Sequence, residues 1–245
     1  MGTLRAVLGL LKSLIIYNVR PVKRLRMKRF YASFLQKGFL GFDFGAHTGN
    51  RTAVWLSLGA RVLAVEPQNL FASYLRRRFR KQRNLTIVQV ALGKESGQAE
   101  LQIAPNNPTV SSLSREWTEL MSSIDGRIRW DRTEKVAVMT MDALIGSYGV
   151  PAFCKIDVEG LEAEVLLGLH RPVPALSFEF FPGRPDAAAR CIDRLCNLGT
   201  YQFNWSLGET FRYQSEKWLS GSTMKEIISG YGGRRSGDIY ARLCS

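Results

Sequence analysis

Cysteine is scarce in this chain. There are four, Cys154, Cys191, Cys196 and Cys244, with no Cys-x-x-Cys pair and no histidine near them at metal-ligand spacing. Neither zinc binding nor a disulfide framework is called for. Cys154 lies in an apolar strand-like run and Cys191 and Cys196 in a helical one, so buried thiols in a reducing, cytoplasmic setting are the expectation. Long apolar runs are missing as well. A membrane span needs about 20 mostly apolar residues, and Lys12 cuts the most apolar segment, MGTLRAVLGLLKSLIIYNVR, into shorter pieces. That segment also lacks the small-residue cleavage site of a secretory signal.

Acidic residues are absent from positions 1–40, which carry nine bases: Arg5, Lys12, Arg20, Lys23, Arg24, Arg26, Lys28, Arg29 and Lys37. They supply nine of the net +13 charges, so the basic character is largely an N-terminal device. Within it, Leu4, Val7, Leu8, Leu11, Leu14 and Ile15 recur at helical spacing opposite Arg5, Lys12 and Arg20, which predicts an amphipathic helix. Two placements stay open for this 1–38 segment: packing on the domain or a partner, and peripheral contact with anionic lipid through residues 1–30. A second basic run, RRRFRKQR at 76–83, sits where a helix would end and suits the negative end of its dipole. Together the two runs keep a nucleic-acid binder or RNA methyltransferase in view as the alternative function.

What is present is an alternation of strand and helix patterns from Phe39 onward, long enough at 45% hydrophobic content for one core. Strands are expected at Phe39–Phe44, Arg61–Val65, Thr86–Leu92, Ala99–Ile103, Lys135–Met139, Phe153–Asp157, Ala175–Phe180, Tyr201–Ser206 and Asp238–Leu243. Helices are expected at Arg51–Leu58, Leu70–Lys81, Met141–Tyr148, Leu161–Leu169 and Asp186–Leu198. This is an α/β domain over 39–245, built on a mostly parallel sheet covered on both faces. Residues 104–134 interrupt the alternation with loop chemistry and then a helix, as a substrate lid would. In that insertion Ser111, Ser112, Trp117 and Trp130 are the residues that could bond or stack on a sugar or ring.

The first strand-to-helix turn, FDFGAHTGN, is the usual ligand cradle of such a sheet. Its glycines read G-x-x-x-G at Gly45 and Gly49, so it is neither the dinucleotide fingerprint nor a P-loop. Asp43 at the strand tip would repel a pyrophosphate and suits a cationic ligand; S-adenosylmethionine carries both an ammonium and a sulfonium. Glu66 ends the second strand about 20 residues on, where an acid accepts hydrogen bonds from two ribose hydroxyls.

With DFGAHTG (43–49), VEP (65–67), VALG (90–93), MTMDAL (139–144), KIDVEGLEAEVLLG (155–168) and SFEF (177–180) in ordered succession, the sequence resembles the FkbM family of S-adenosylmethionine-dependent methyltransferases. The resemblance implies a class I methyltransferase (Rossmann-like), doubly wound fold: a mostly parallel seven-stranded sheet whose last strand is antiparallel. It implies methyl transfer to a hydroxyl of a small molecule such as a sugar, glycolipid or natural product. On this chain Asp43, Gly45, Ala46, His47 and Gly49 would line the methionine part of the cofactor, Glu66 and Pro67 the ribose, and Val90 and Ala91 the adenine. Lys155, Asp157 and Glu159 would face the transferred methyl. His47 departs from the asparagine frequent in the family.

The chemistry needs an aligned hydroxyl and a proton acceptor. Asp157 and Glu159 are the first candidates for that base, and His47, whose ordinary pKa is near neutrality, the second. Glu159 and Glu162 also suit the start of the helix that follows, and for Glu162 that structural role is the preferred one. Asp157 and Glu179, at neighbouring strand tips, are the hard oxygen ligands Mg²⁺ takes. With no third ligand evident, no metal is assigned.

Overall fold

The computed structural model describes residues 21–244, so the amphipathic helix expected within 1–20 lies outside the described residues. The chain starts with α1 (Pro21–Tyr31) and then alternates: β1 (Leu40–Phe44), α2 (Asn50–Ser57), β2 (Arg61–Val65), α3 (Asn69–Arg78), β3 (Leu85–Val88). An insert of β4 (Ala91–Leu92), β5 (Gly97–Ile103), α4 (Arg115–Ile124) and β6 (Arg132–Met139) follows. The alternation resumes with α5 (Met141–Tyr148), β7 (Phe153–Ile156), α6 (Glu162–Leu167), β8 (Ala175–Phe180) and α7 (Pro185–Leu198). It closes with β9 (Tyr201–Leu207), α8 (Gly221–Ser229) and β10 (Gly237–Leu243).

Seven strands form one sheet in the order β3-β2-β1-β7-β8-β10-β9. Every pairing is parallel except those of β10, which runs antiparallel to both β8 and β9. This is the class I methyltransferase topology that the resemblance implied. The order reverses between β1 and β7, and a cleft therefore opens beyond the carboxyl ends of those strands.

Because side chains alternate across a strand, each strand feeds two cores. Phe42 and Phe44, Leu63 and Val65, Cys154 and Ile156, Leu176 and Phe178, Ile239 and Ala241 point to one face, where α5, α6, α7 and α8 cover them. Val62, Phe153, Ala175 and Tyr240 point to the other, against Met27 and Tyr31 of α1 and Val54 and Trp55 of α2. Leu75 of α3 packs on Ala64 on that same side. The helix α1, in the 1–38 segment for which packing on the domain was one of two placements, thus contributes to the core.

Three expectations change. The strand expected over Thr86–Leu92 breaks after Val88, where the Glu66 backbone N–H donates to the Val88 carbonyl and β2 ends. With no partner left in the main sheet, Ala91–Leu92 pairs instead with Val138–Met139 of β6, making a second sheet of order β4-β6-β5. Cys196 is exposed, not buried; five residues past Cys191 it has turned off the buried stripe of Cys191, Ile192 and Leu195. The helix α8, capped by the Ser220 hydroxyl accepting from the Thr223 N–H, was not anticipated at all.

Candidate active site

The cleft holds a cavity of about 380 Å³, within the usual size of a small-molecule site. Asp43, Gly45, Ala46, His47, Glu66, Pro67, Val90, Ala91, Asp157 and Glu159 all line it, whereas Gly49 and Lys155 do not. Its cofactor end is shaped by the turn after β1. Gly45 has φ +78, and a Cβ there would run into the Asp157 carbonyl, so strand β1 and strand β7 meet at that point only through a glycine. Gly49, at φ +76, sits beside Phe79 and Leu75 and opens α2.

Both oxygens of the buried Glu66 carboxyl are fixed by backbone: the His47 N–H donates to Oε2 and the Gln68 N–H to Oε1, each at 2.9 Å. Burial raises its pKa to about 7 against those bonds. His47 itself takes φ +49. Its ring packs 3.9 Å from that of Phe71, and burial lowers its pKa to about 4, so it is a neutral wall near pH 7. Asp43, 1% exposed, accepts the Thr52 hydroxyl at 2.5 Å; burial raises its pKa while that bond opposes the rise.

At the other end the strand parity concentrates charge. Asp43 is opposite Lys155, Lys155 opposite Ser177, and Glu179 opposite Asp238, all on the face under α1 and α2. The fully buried Lys155 ammonium sits 2.6 Å from Asp238 and 3.5 Å from Asp157. It does not line the cavity itself and meets it through Asp157 and Asp238, which do. Burial would lower its pKa, but Asp157 and Asp238 outweigh burial and raise it. Arg51, from the first turn of α2, donates to Asp157 at 3.1 Å. Burial alone would raise the Asp157 carboxyl; Lys155 and Arg51 together hold it below its ordinary value.

Glu159 and Glu179 make no salt bridge among the described residues, and Lys155 lowers each of them by less than burial and the neighbouring acids raise it. They and Asp157 each bring a carboxylate oxygen within 4.8 Å of the other two, so the third acid that sequence spacing did not reveal beside Asp157 and Glu179 is Glu159. Burial, then Glu179, raises Glu159 well above its ordinary value, and burial followed by Asp157 raises Glu179 to about 8. Glu159 holds φ +55 in its turn, where its carbonyl accepts the Ser112 hydroxyl at 2.7 Å. Glu162 accepts from the Val158 and Gly160 N–H groups at 3.1 and 3.3 Å, the structural role expected for it.

The insert touches the site through Thr109, Ser111, Ser112 and Leu113. Its tryptophans do not line the cavity: Trp117 packs under Gly160 and against Phe181, and Trp130 donates to Ser122. Hydrophobic anchoring of α4 claims them, as its apolar face at Trp117 and Met121 shows. Arg51, Glu209 and Asp238, which also bound the site, were missed in the sequence. Only strand parity, counted from Asp43 and Lys155 to Asp238, carried a signal, and that needs the strand order first.

The residues present fit a cationic, ribose-bearing cofactor: a buried acid stands near the end of β1, an anchored acid follows β2, and a glycine brings the backbone close between them, all lining one cavity. A family model for the methyltransferase FkbM domain matches residues 43–199, more than half of the chain. No curated protein sequence matches it. Among solved structures, the precorrin-6y C5,15-methyltransferase of Geobacter metallireducens is 13% identical, with a TM-score of 0.46 over 89% of this chain and 87% of that one. A TehB-like SAM-dependent methyltransferase from Corynebacterium glutamicum is 11% identical, with a TM-score of 0.46 over 89% and 88%. Aeropyrum pernix fibrillarin in complex with S-adenosyl-L-methionine is 13% identical, with a TM-score of 0.43 over 84% and 67%. With the matched domain spanning the cofactor turn, both acidic strand ends and the KIDVEG segment, the chain belongs to the FkbM family of methyltransferases, and its cofactor is S-adenosylmethionine.

Proposed function

We propose that the chain methylates a hydroxyl of a small, uncharged acceptor such as a sugar, a glycolipid headgroup or a natural product, with the Glu159–Glu179 pair taking the hydroxyl proton. The observation that carries this is the contrast among three neighbouring acids. Asp157 is held ionised by Arg51 and Lys155, which makes it a weak base, while Glu159 and Glu179 have no salt-bridge partner among the described residues and are raised by burial and the neighbouring acids more than Lys155 lowers them. Two carboxyls that share one proton offer an acceptor and a donor side by side near neutral pH.

Asp43, Gly45, Ala46 and His47 would hold the methionine end of S-adenosylmethionine, Glu66 and Pro67 the ribose, and Val90 and Ala91 the adenine. When bound, the cofactor supplies an electrophilic methyl group. The chain's own part is to align the hydroxyl, exclude water and receive the proton on a carboxylate of the pair. Asp157, fixed by Arg51, orients the acceptor oxygen; Lys155 is a positioning residue that keeps Asp157 in place. The neutral, buried His47 is a wall and a holder of Glu66, so it ranks below the acids as a base.

The alternative of an RNA methyltransferase has less support at the acceptor end, where the cations Arg51, Lys155 and Lys23 are already paired with Asp157, Asp238 and Glu209. A second reading of the acidic triad is a divalent cation that orients the hydroxyl and lowers its pKa. Turnover with a panel of neutral, anionic and cationic hydroxylated acceptors, with and without EDTA, tests all of these. Turnover restricted to phosphorylated acceptors or RNA would sink the first reading, and activity unchanged by EDTA would remove the cation.

A further inference from the structure

The two sides of α1 meet different surroundings. On its inner side Met27 and Tyr31 are buried, Met27 lines the cavity, and Lys23 pairs with Glu209, another cavity residue. At 100° per residue, Val22, Leu25, Arg26 and Arg29 share the outer side. Val22 is 71% and Leu25 50% exposed, although both are large and apolar. Arg26 and Arg29 beside them are exposed too, and the 11-residue helix holds five bases and no acid. A helix that only met water would intersperse acids among those bases and would hide such hydrophobics.

We propose that this outer face of α1 docks on an anionic lipid surface. Lipid meets both halves of the pattern: headgroup phosphates attract the arginines, and the headgroup–acyl boundary takes Val22 and Leu25. A nucleic acid would meet only the charges. Met27 and the Lys23–Glu209 pair tie the same helix to the cavity rim. The proposal rests on where α1 lies and not on the reaction proposed above, so each can fail alone.

The test is co-sedimentation of the full chain with phosphatidylcholine vesicles and with vesicles containing about one third phosphatidylglycerol. Binding is expected to the anionic vesicles only, and to fall sharply when salt shortens the screening length from about 10 Å to about 3 Å. Each base removed is expected to cost about 5-fold, so R26Q/K28Q/R29Q loses on the order of 100-fold. V22S/L25S, which keeps every charge, is expected to bind several-fold more weakly. Val22, Leu25, Arg26 and Arg29 lie on the outer side and the half-buried Lys28 does not line the cavity, so melting temperature and S-adenosylhomocysteine binding of both variants should match the parent. Equal binding to pure phosphatidylcholine, full binding by the triple variant, or displacement of the chain from vesicles by duplex DNA would overturn the proposal.

Discussion

The sheet face under α5–α8 and the face under α1–α3 are made from the same strands, taken residue by alternate residue, and they do different work. On the first, β1, β2, β7, β8 and β10 contribute only apolar side chains near their ends, from Phe44 and Val65 to Phe178 and Ile239. On the second, the same strand ends contribute Asp43, Lys155, Glu179 and Asp238. Burying charges is costly unless they are paired, and the second face pairs most of them: Asp43 with Thr52, Asp157 with Arg51, Asp238 with Lys155. Glu159 and Glu179 are left facing each other, and that is where the chemistry is proposed. Both faces supply cohesion, and the second adds to its own apolar core a set of charges whose burial is costly and on which the proposed chemistry draws.

Substitutions on the two faces should therefore separate stability from turnover. The largest effect is expected from Glu159→Gln and Glu179→Gln, each lowering kcat about 10²- to 10⁴-fold with the melting temperature unchanged or raised, because a like-charge neighbour is removed. A Glu179 variant with parental turnover would end the proposed role of the pair. Phe178→Ala, on the opposite face, should do the reverse: about 3–5 kcal/mol lost in denaturant unfolding, with kcat of the folded fraction kept. Lys155→Met lies between them. Removing one partner of a buried pair costs about 3–5 kcal/mol, and the Asp157 carboxyl, losing its strongest cation, should titrate higher in a pH–rate profile.

The smallest effects are those of pH. The proposed base must be ionised, so kcat/KM should rise with pH through an inflection near the value of about 8 to which Glu179 is raised. Glu179→Gln should move that inflection. The stability term has the opposite sign. A carboxyl whose folded pKa is raised from 4.5 to about 8 favours the native state in full below about pH 4.5, and that contribution is lost as pH rises through about 8. Melting should therefore be lower at pH 9 than at pH 6 for the parent, with a flatter dependence in Glu179→Gln.

The contrast between faces also explains which parts of the molecule were legible beforehand. The cofactor half is local: Asp43, Gly45 and Gly49 lie in one turn, and Glu66 ends the next strand, so periodicity and spacing were enough to bring them together. Strands β1, β2, β7, β8 and β10 have clear apolar runs, and their positions could be read to within a residue or so. The acceptor half is assembled from distant segments. Glu209 follows β9, Asp238 begins β10, Arg51 comes from α2 and Met27 from α1, and no short-range pattern marks any of them as neighbours of Glu159. Trp117 and Trp130 misled for a related reason: an aromatic in a loop-rich insert looks available for a ligand until a helix face claims it.

The sequence by itself determined the alternation of strands and helices, the glycine turn and the acids at the strand ends, because these depend on backbone freedom, side-chain period and charge within short stretches. Tertiary structure decided what those acids can do. Lys155 is Asp157's neighbour along the chain, but only the tertiary structure adds Arg51 to Asp157 and sets Glu179 beside Glu159, and proton affinity inside a protein is governed by the charges a few ångströms away, whatever their separation in sequence.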